Sequence, residues 1–558
     1  MQWIIIGIVI ISCIILKSVY DKFSIKKKIM RKLLRNWGCL SEEEISYERQ
    51  QTIASFYESK KEPEKDIDEI TWHDLDLETL FYEINQTGSA MGEEYLYSVL
   101  HKPLPGGEEY ERRQELIHLY EEREDIRLTV GRIFMETGKL KKISVYEYIS
   151  YLDTCPKGNT WISILCILGF FAALLVTIFG GLSGLALIFI SVGINMMVYY
   201  REKEKVGKYY DVLLYLLRVF YGARKFTKCE IPELSKYCEE ISEVLKSFRG
   251  FRSGAFLINS TLDGGSFFDI IMDYVRMLFH VDLIKFNQMV TMIRNKREPL
   301  TELFKTLGIL DAMYAVASYR VYLGTDNYCE PEFTTDNIGM EVEGLFHPLV
   351  ENPVKADFSE INSVLLTGSN ASGKSTFLKA VAINALLSQT ICTSMSKYYK
   401  APRYKIFSSM ALSDNIFENE SYFIVEIKSL KRILDKIDDT TPMLIFIDEV
   451  LRGTNTLERI AASSRILSEL AAKNTMCFAA THDIELTYIL ENKYSNYHFT
   501  EDVIDNTVVF EYILHKGRAT SRNAIKLLTM LGYPKEIVSQ AETSVEEYLR
   551  DGQWKIFE

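Results

Sequence analysis

The sequence predicts two fold classes in one chain: a mostly α-helical part interrupted by an apolar helical hairpin, and a C-terminal α/β domain. Across residues 40–150 and 201–323, charged and apolar residues alternate at helical spacing. Residues 160–200 contain no charged side chain. From about Tyr328 the pattern changes to short apolar runs separated by turn residues, which is typical of strands alternating with helices.

Length and composition limit the class of protein. At 558 residues the chain is long enough for roughly two to four domains. Aromatic residues at 12% and apolar residues at 47% favour folded structure throughout. The net charge of −12 weighs against a surface that coats nucleic acid, although it is compatible with a local basic groove. Nine cysteines form no C-x-x-C pair, so we interpret them as isolated thiols of a cytosolic protein.

A glycine-rich loop carries the strongest functional signal. An apolar run at 364–367 leads into G-x-x-x-x-G-K-S, and an amphipathic helix over 377–387 follows. The two glycines allow successive backbone N–H groups to point into one cavity, and the helix dipole adds positive potential beneath bound phosphates. The loop therefore predicts a site for a nucleoside triphosphate. The residues expected to contact the nucleotide are Gly368, Ser369, Asn370, Ala371, Ser372, Gly373, Lys374, Ser375 and Thr376.

Two carboxylates at the end of a second apolar run complement this loop. Lys374 is predicted to reach the outer phosphates, and the Ser375 hydroxyl is predicted to ligate Mg²⁺. Residues 441–449 read T-P-M-L-I-F-I-D-E, a buried-strand pattern. Asp448 would hold the magnesium ion, and Glu449 would orient the attacking water. The alternative is an ordinary strand that ends in acids, which the position after the glycine-rich loop disfavours.

A third apolar run, residues 475–480, leads to Thr481 and His482. A lone histidine is more often an ordinary surface or core residue. At the carboxyl end of a parallel strand beside the other two, however, His482 would lie where a sensor of the γ-phosphate belongs.

The uncharged stretch predicts a transmembrane hairpin. Residues 161–179 and 182–200 are 19 residues each, long enough for ~30 Å of hydrocarbon. The glycines available for the turn between them are Gly180, Gly181 and Gly184. The alternative is a buried hairpin of a soluble protein, which the lack of any charge disfavours.

The amino-terminal residues 3–16 form a further apolar run, which would be a third membrane span beside the two of the hairpin. No basic residue precedes the run and no small-residue cleavage site follows it, so we expect a membrane anchor and not a removed signal peptide. Residues 17–35 are strongly basic, which places them in the cytoplasm, where they would contact anionic lipid. A nucleic-acid-binding tail is the alternative interpretation of this basic segment. We therefore expect a multi-pass cell-membrane protein with three spans and with its large polar parts in the cytoplasm.

The motifs resemble those of the MutS family of DNA mismatch-repair ATPases, a branch of the ABC class. Residues 368–376 resemble that family's G-P-N-M-G-G-K-S-T, and 448–456 resemble D-E-I-G-R-G-T-S-T. Residues 480–487 resemble A-T-H-Y-F-E-L-T. Weaker similarities to the segments around this ATPase and to the start of the family's helical lever domain lie at 328–333, 347–350, 532–538, 76–81, 91–92 and 100–104.

The sequence also departs from that family. Its mismatch-reading domain inserts a Phe from an F-x-E motif beside the mispaired base, and Phe56-Tyr57-Glu58 repeats the motif. Too few residues precede this tripeptide for such a domain, so we interpret it as a coincidence and expect neither that domain nor a connector domain. The family's signature loop S-G-R-S-T-F is E-N-E-S-Y-F here, at 418–423. Ser421 is retained, whereas Glu420 replaces a basic residue.

The resemblance implies a domain organisation and a mechanism. ATP and Mg²⁺ would be bound at the interface of a homodimer, with Lys374, Glu449 and His482 as catalytic residues and Ser421 supplied from the opposite subunit. The expected segments are a transmembrane anchor at 1–20, a basic linker at 21–69, a helical MutS-core-like domain at 70–160 and 201–325, the transmembrane hairpin at 161–200, and the ATPase domain at 326–558.

Two purposes remain open at this point. The first is a DNA-associated ATPase that is tethered to the membrane and lacks a mismatch-reading domain. The second is an ATP-driven membrane switch or scaffold that does not bind DNA, which the acidic composition and the hairpin favour. An ABC transporter is disfavoured, because the chain has only three predicted spans and no L-S-G-G-Q signature.

Overall fold

The computed structural model describes most of the chain. The described residues are 17, 20–21, 23–42, 45–103, 106–140, 143–147, 154–155, 158, 160–181, 183–251, 253–254, 258, 267–335, 338–369, 372–410, 422–438, 440–451, 454–472, 474–504, 507–519, 525, 528 and 532–556. They divide into two units. The helical unit comprises Met1–Lys61, Glu83–Val99 and Arg112–Tyr322, and the sheet unit comprises Glu62–Tyr82, Leu100–Glu111 and Leu323–Glu558.

The helical unit is built around one long buried helix, Arg297–Leu323, in which nearly every residue from Leu300 to Arg320 is inaccessible to solvent. The other helices that lie wholly or partly in this unit are Tyr47–Ile53, Ser55–Glu58, Leu77–Ile84, Ala90–His101, Glu108–Glu122, Glu124–Thr137, Thr160–Gly180, Ser183–Phe226, Ser235–Ser247, Phe267–Phe279 and Val281–Asn295.

A buried carboxylate joins the long helix to the start of another. Asp311 accepts hydrogen bonds from the backbone N–H groups of Gly88 and Ser89 at 2.9 and 2.8 Å. Those donors precede helix Ala90–His101, so Asp311 supplies the acceptor that a helix start needs. A Cβ at Gly92 would overlap the Asp311 carboxylate. The Met91-Gly92 pair noted in the sequence therefore has a packing reason: only glycine allows this approach.

The predicted hairpin forms, with different bounds. Its helices are Thr160–Gly180 and Ser183–Phe226, so the second continues far beyond the predicted end at residue 200. In the described part of the chain, two helices are long and apolar enough to cross a membrane by length and composition, Thr160–Gly180 and Gly184–Gly207. The third predicted span, residues 3–16, lies outside the described residues.

Residues 270–292 carry apolar side chains at the spacing of a single helix, but they do not form one continuous helix. The helix breaks at His280, whose backbone is left-handed with φ of +48°. The ring Nε2 of His280 donates to the backbone carbonyl of Asn195 at 3.0 Å. Helical periodicity continues through such a break, which is why the pattern did not predict it.

The strands of the sheet unit form two sheets. In chain order they are β1 (Glu332–Phe333), β2 (Met340–Leu345), β3 (Ala356–Glu360), β4 (Ser363–Thr367), β5 (Tyr398–Ala401), β6 (Lys405–Ser409), β7 (Met443–Asp448), β8 (Thr475–Ala480), β9 (Tyr494–Ile504) and β10 (Thr507–Lys516). The four-stranded sheet has the order β1-β5-β2-β3, and the six-stranded sheet has the order β10-β9-β4-β8-β7-β6. The helices with these strands are Glu69–Asp74, Lys374–Thr390, Tyr422–Leu434, Thr456–Leu470, Ile484–Ile489 and Lys535–Asp551.

Three neighbouring strands position the functional residues. β4 pairs with β8, and β8 pairs with β7, both in parallel. Their side chains are buried on both faces, apart from the partly buried Asp448 at the end of β7, which explains their continuous apolar sequences. Because the strands are parallel, the residues that follow them meet at one edge of the sheet.

Residues 62–82, here called the strap, cover the outer edge of the six-stranded sheet at β6. The backbone N–H of Ser408 donates to Thr71 Oγ1 at 3.0 Å, and that of Met410 donates to Asp74 Oδ2 at 2.9 Å. Arg432 forms an ion pair with Asp68 at 2.5 Å. The strap thus gives hydrogen-bond partners to an edge strand that would otherwise offer its backbone to other chains.

Candidate functional site

The glycine-rich loop leaves β4 and enters helix Lys374–Thr390 with two left-handed glycines. Gly368 has φ of +148° and Gly373 has φ of +105°. A Cβ at Gly373 would also lie 3.0 Å from the ring of Tyr512. Both positions therefore require glycine, for the backbone turn and for the close approach. Asn370 and Ala371, which complete the predicted loop, lie outside the described residues.

Lys374 occupies the centre of this loop. Its side chain is buried, and Nζ donates to the backbone carbonyls of Gly368 at 2.9 Å and Ser369 at 2.7 Å. An ammonium group held here, at the amino end of a 17-residue helix, makes the loop strongly positive. The arrangement suits a ligand with several negative oxygens.

Ser375 and Asp448 come together at the same edge. The Ser375 hydroxyl donates to Asp448 Oδ2 at 2.5 Å, although the two residues are 73 positions apart. A hydroxyl and a carboxylate are the hard oxygen donors that Mg²⁺ prefers. The donor set therefore fits the predicted magnesium site. Thr376, the last predicted loop residue, is exposed beside them.

Glu449 and His482 form a second polar pair. Nε2 of His482 lies 3.0 Å from Glu449 Oε1. The Glu449 backbone is left-handed, with φ of +56°, and its N–H donates to the Ala480 carbonyl at 3.0 Å. A left-handed glutamate is uncommon, because its Cβ crowds the backbone. Such strain is held at functional sites, and here it turns the carboxylate towards His482.

Two further residues support this edge and were missed in the sequence. Arg459 donates two hydrogen bonds to the carboxylate of Asp483, at 2.9 and 2.7 Å, which anchors the residue next to His482. Glu426 is buried and accepts a hydrogen bond from the backbone N–H of Leu451, two residues after Glu449. Neither contact has a sequence signal, because each joins a helix to a loop elsewhere in the chain.

A cavity of about 330 Å³ opens beside the loop. Gly373 and Thr376 line it together with Phe346, His347 and Tyr512. Burial, with the charge of Lys379 nearby, lowers the pKa of His347 to about 4, so the ring is neutral near pH 7. The apolar and aromatic lining fits a flat ring attached to phosphates in the loop. The 347–350 segment was noted in the sequence, but its place beside the loop was not predicted.

Most of the predicted signature loop, residues 418–423, lies outside the described residues. Ser421 and the preceding residues 411–420 lie outside the described residues. The helix that follows, Tyr422–Leu434, begins directly after Ser421 and carries Glu426. The role of Ser421 stays a prediction.

Comparison with known proteins supports a MutS-type domain here. Residues 364–549 match the family model for MutS domain V. The chain is 31% identical over 259 residues to the DNA mismatch repair protein MutS of Natronomonas pharaonis, covering 44% of this chain and 29% of that protein. It is 28% identical over 258 residues to the MutS protein of Thermus aquaticus, covering 45% and 31%. A MutS protein of Thermus thermophilus is 29% identical over 253 residues, covering 44% and 30%.

These matches have a definite extent. The chain spans about 30% of the length of the curated relatives that it matches. The family model begins within β4 and ends within helix Lys535–Asp551, so it contains the loop, both carboxylates and His482. For residues 364–549, the family model thus supports the MutS resemblance drawn from the motifs.

Proposed function

We propose that this chain is a membrane-anchored MutS-type ATPase that binds and hydrolyses ATP with Mg²⁺. The observation that carries the proposal is the meeting of four side chains at one sheet edge. Ser375 lies against Asp448, and Glu449 lies against His482, each pair within 3.0 Å. All four lie at or after the carboxyl ends of the parallel strands β4, β7 and β8. The match to MutS domain V supports the same conclusion.

In this proposal the loop binds the phosphates. The backbone N–H groups of 368–376 and the Lys374 ammonium neutralise the β- and γ-phosphates, and the base occupies the cavity beside His347. Lys374 would exchange its present carbonyl acceptors for phosphate oxygens. Ser375 and Asp448 hold Mg²⁺, which when bound supplies further positive charge to the phosphates.

Glu449 and His482 act on the γ-phosphate side. Glu449 orients and polarises the attacking water. His482 senses whether the γ-phosphate is present, and its contact with Glu449 links the two residues. No covalent intermediate is needed, since positioning and charge stabilisation supply the rate enhancement. Arg459 is a positioning residue here, because it holds the Asp483 carboxylate beside His482.

We further propose that two chains form a homodimer through their sheet units. The MutS relatives support this, and Ser421 of one chain would complete the ATP site of the other. Ile424 and Ile427 are 42% and 40% exposed on the helix directly after Ser421. A pair of exposed apolar side chains at this place is compatible with burial against a second copy.

Membrane attachment is the second part of the proposal. The two helices that are long and apolar enough to cross a membrane support it, as does the basic segment at 17–35. The helical unit would then lie at the cytoplasmic face of the cell membrane, together with the ATPase. The apolar run at 3–16 would be a further anchor.

DNA association is the first candidate for the chain's purpose, and it rests on the names of the relatives. The alternative is a membrane switch or scaffold that uses the ATPase without DNA. The acidic net charge of −12 and the apolar hairpin favour the alternative. The two differ in one property: phosphate contacts to DNA must weaken steeply as salt rises.

Two substitutions test the ATPase. Lys374→Ala should abolish nucleotide binding, because it removes the buried ammonium from the loop. Glu449→Gln should retain binding and trap a closed, ATP-bound dimer, with turnover lowered about 10²–10⁴-fold. Binding of a fluorescent ATP analogue and phosphate release would be measured for each.

Matched controls exist on the surface of the same unit. Lys431→Ala removes an ammonium that is 70% exposed, and Glu469→Gln removes an exposed carboxylate. Both should leave ATP binding and turnover unchanged. Turnover of the Glu449→Gln protein at the unsubstituted rate would show that the base is assigned wrongly.

DNA association is tested with the detergent-solubilised protein. Its ATPase rate would be measured with homoduplex, mismatched and branched DNA across a salt series. Stimulation or retention that falls as salt rises would support the DNA-associated ATPase. A rate that DNA leaves unchanged at every salt concentration would support the membrane switch.

A further inference from the structure

We infer that the hairpin enters the bilayer from one side to about half its depth and does not cross it. The inserted part would be the bare arm, defined as residues 172–194, and the occupant around it would be the acyl chains of one leaflet. This inference rests on the proposed membrane attachment and specifies its geometry. Its basis is the protein packed around the lower half of the hairpin.

The corner between helices Phe267–Phe279 and Val281–Asn295 packs against the middle of the hairpin. The ring centroid of Phe279 lies 5.8 Å from that of Phe170 and 6.0 Å from that of Phe171. Phe170 and Phe171 are halfway along helix Thr160–Gly180. Folded protein therefore reaches halfway up the first hairpin helix.

The second hairpin helix is held at the same corner. Asn195 Nδ2 donates to the Leu278 carbonyl at 3.0 Å, and His280 Nε2 donates to the Asn195 carbonyl at 3.0 Å. Asn195 is buried, at 1% exposure. These reciprocal hydrogen bonds fix Asn195 to the corner and not to lipid. The corner thus marks one level on both helices.

Ionisable groups cluster on the side of this corner away from the hairpin turn. Asp282 is 1% exposed and accepts hydrogen bonds from the hydroxyls of Tyr199 at 2.9 Å and Tyr210 at 3.2 Å. Lys203 lies 3.6 Å from the same carboxylate. Asp273, on the helix before the corner, is 62% exposed. Charged groups are costly at hydrocarbon depth, so this level belongs outside the hydrocarbon.

A polar helix also runs beside the start of the first hairpin helix. A Cβ at Gly158 would touch the Asn287 amide, and Arg294 donates to the Cys155 carbonyl at 2.6 Å. Asn287 and Arg294 both belong to helix Val281–Asn295, which also exposes Gln288. If residues 160–170 crossed hydrocarbon, this helix would have to lie there with them.

The opposite side of that first helix is apolar and exposed. Trp161, Leu165 and Leu168 are 73%, 66% and 58% exposed, and their spacing places them on one stripe. One side of the helix thus contacts protein and the other side is open to lipid. That asymmetry fits a hairpin that enters at an angle, with its lower half along the membrane surface.

Beyond the corner, large apolar side chains of the hairpin are exposed with respect to the rest of the described residues. Phe179 is 86% exposed, Phe189 is 77% exposed and Ile178 is 65% exposed. At 1.5 Å per residue, the two helical parts of the bare arm are roughly 14–17 Å long. The hydrocarbon core is ~30 Å thick, so the bare arm reaches only about its middle.

At the tip of the hairpin, some backbone N–H and C=O groups of the turn are hydrogen-bonded within the hairpin itself. The N–H of Gly181 donates to the Thr177 carbonyl at 3.1 Å, and the N–H of Gly184 donates to the Gly181 carbonyl at 3.0 Å. Thr177 Oγ1 donates to the Ala173 carbonyl at 2.8 Å. These internal bonds lower the cost of placing the turn in hydrocarbon.

Cysteine labelling tests the depth. Phe179→Cys places a thiol near the tip, and Tyr200→Cys places one at the hairpin base, where the side chain is 59% exposed. A membrane-impermeant maleimide would be applied to intact cells and to inverted membrane vesicles. The unsubstituted chain, with its nine native cysteines, provides the baseline for both. An unchanged ATPase rate would show that each variant is folded.

We expect Phe179→Cys to add no label from either side until detergent is present, and Tyr200→Cys to add label from the ATPase side alone. A nitroxide series of lipids should quench a fluorophore at position 179 most strongly near the bilayer centre. Labelling of position 179 from the side opposite the ATPase would overturn the inference and show a crossing hairpin. Labelling without detergent on protein found in the soluble fraction would instead overturn the membrane attachment itself.

Discussion

Polar side chains gather at the end of strongly apolar elements in two regions, the carboxyl edge of the six-stranded sheet and the base of the hairpin. At the sheet edge, each contributing residue lies within a recognisable motif, such as D-E or T-H. At the hairpin base, Asn195 meets His280 and Tyr199 meets Asp282 across 83 to 85 positions with no motif at all. In a parallel sheet the topology brings the strand ends together. Between packed helices, the shapes of the side chains determine which residues come into contact. The residues of the sheet-edge site can therefore be identified from local sequence motifs, and those of the hairpin base cannot.

The largest expected effect is a loss of ATP turnover when the sheet-edge site is disrupted. Asp448→Asn removes the carboxylate that faces the Ser375 hydroxyl, and with it most of the affinity for Mg²⁺. Turnover should fall about 10²–10³-fold, and the Mg²⁺ concentration for half-maximal rate should rise. Steady-state ATPase assays over a magnesium series measure both.

Asp435→Asn is the matched control, since Asp435 is 59% exposed and paired only on the surface helix. The control should behave as the unsubstituted chain. An unaltered magnesium dependence in Asp448→Asn would contradict the assignment of this carboxylate.

The next largest effect is expected at the hairpin base, where a substitution should change the free energy of unfolding and not the affinity for ATP. Asp282→Asn removes the charge that Tyr199, Tyr210 and Lys203 surround. The free energy of unfolding of the helical unit should fall by about 2–3 kcal/mol, because hydrogen bonds to a charged acceptor are replaced by weaker ones. Affinity for ATP should not change.

Denaturant unfolding in detergent, followed by helical circular dichroism, measures this loss. Asp211→Asn changes an exposed aspartate of the same hairpin helix and should be neutral. Equal stability of the two variants would mean that the hairpin base is not a stabilising network.

The smallest effect is a pH dependence at the sheet-edge cavity. Burial lowers the pKa of His347 to about 4 in the folded chain, while an unfolded histidine titrates near 6.5. Between these values the unfolded chain binds the extra proton, so stability rises with pH from about 4 to 6.5 and is lost as the pH falls. His347→Gln should remove about 1–2 kcal/mol of that dependence between pH 8 and pH 5.

Thermal unfolding at a series of pH values, with the variant and the unsubstituted chain side by side, measures the difference. Other titrating groups contribute equally to both proteins and cancel. Parallel stability curves for the two would show that folding leaves the pKa of His347 unchanged.

Sequence reasoning predicted the apolar strands β4, β7 and β8 because continuous apolar runs identify buried parallel strands. The roles of the side chains at the strand ends stay predictions. The same reasoning did not predict the break at His280, since helical periodicity continues across one left-handed residue. It also missed Arg459 and Glu426, which act through partners that lie elsewhere in the chain. Phe56, whose motif we interpret as a coincidence, has its ring centroid 5.3 Å from that of Tyr146 in the helical unit.

The strap has a consequence for how the protein is made. Residues 62–82 leave the ribosome long before β6, whose edge they cover. At about 5–20 residues per second, the interval between the end of the strap and Lys405 is roughly 15–65 s. During that time the strap is synthesised but β6 is not. When β6 is made, its edge is covered by a segment that was synthesised much earlier. A protein assembled in this order has a window in which a chaperone, or a neighbouring nascent chain, can compete for the same edge.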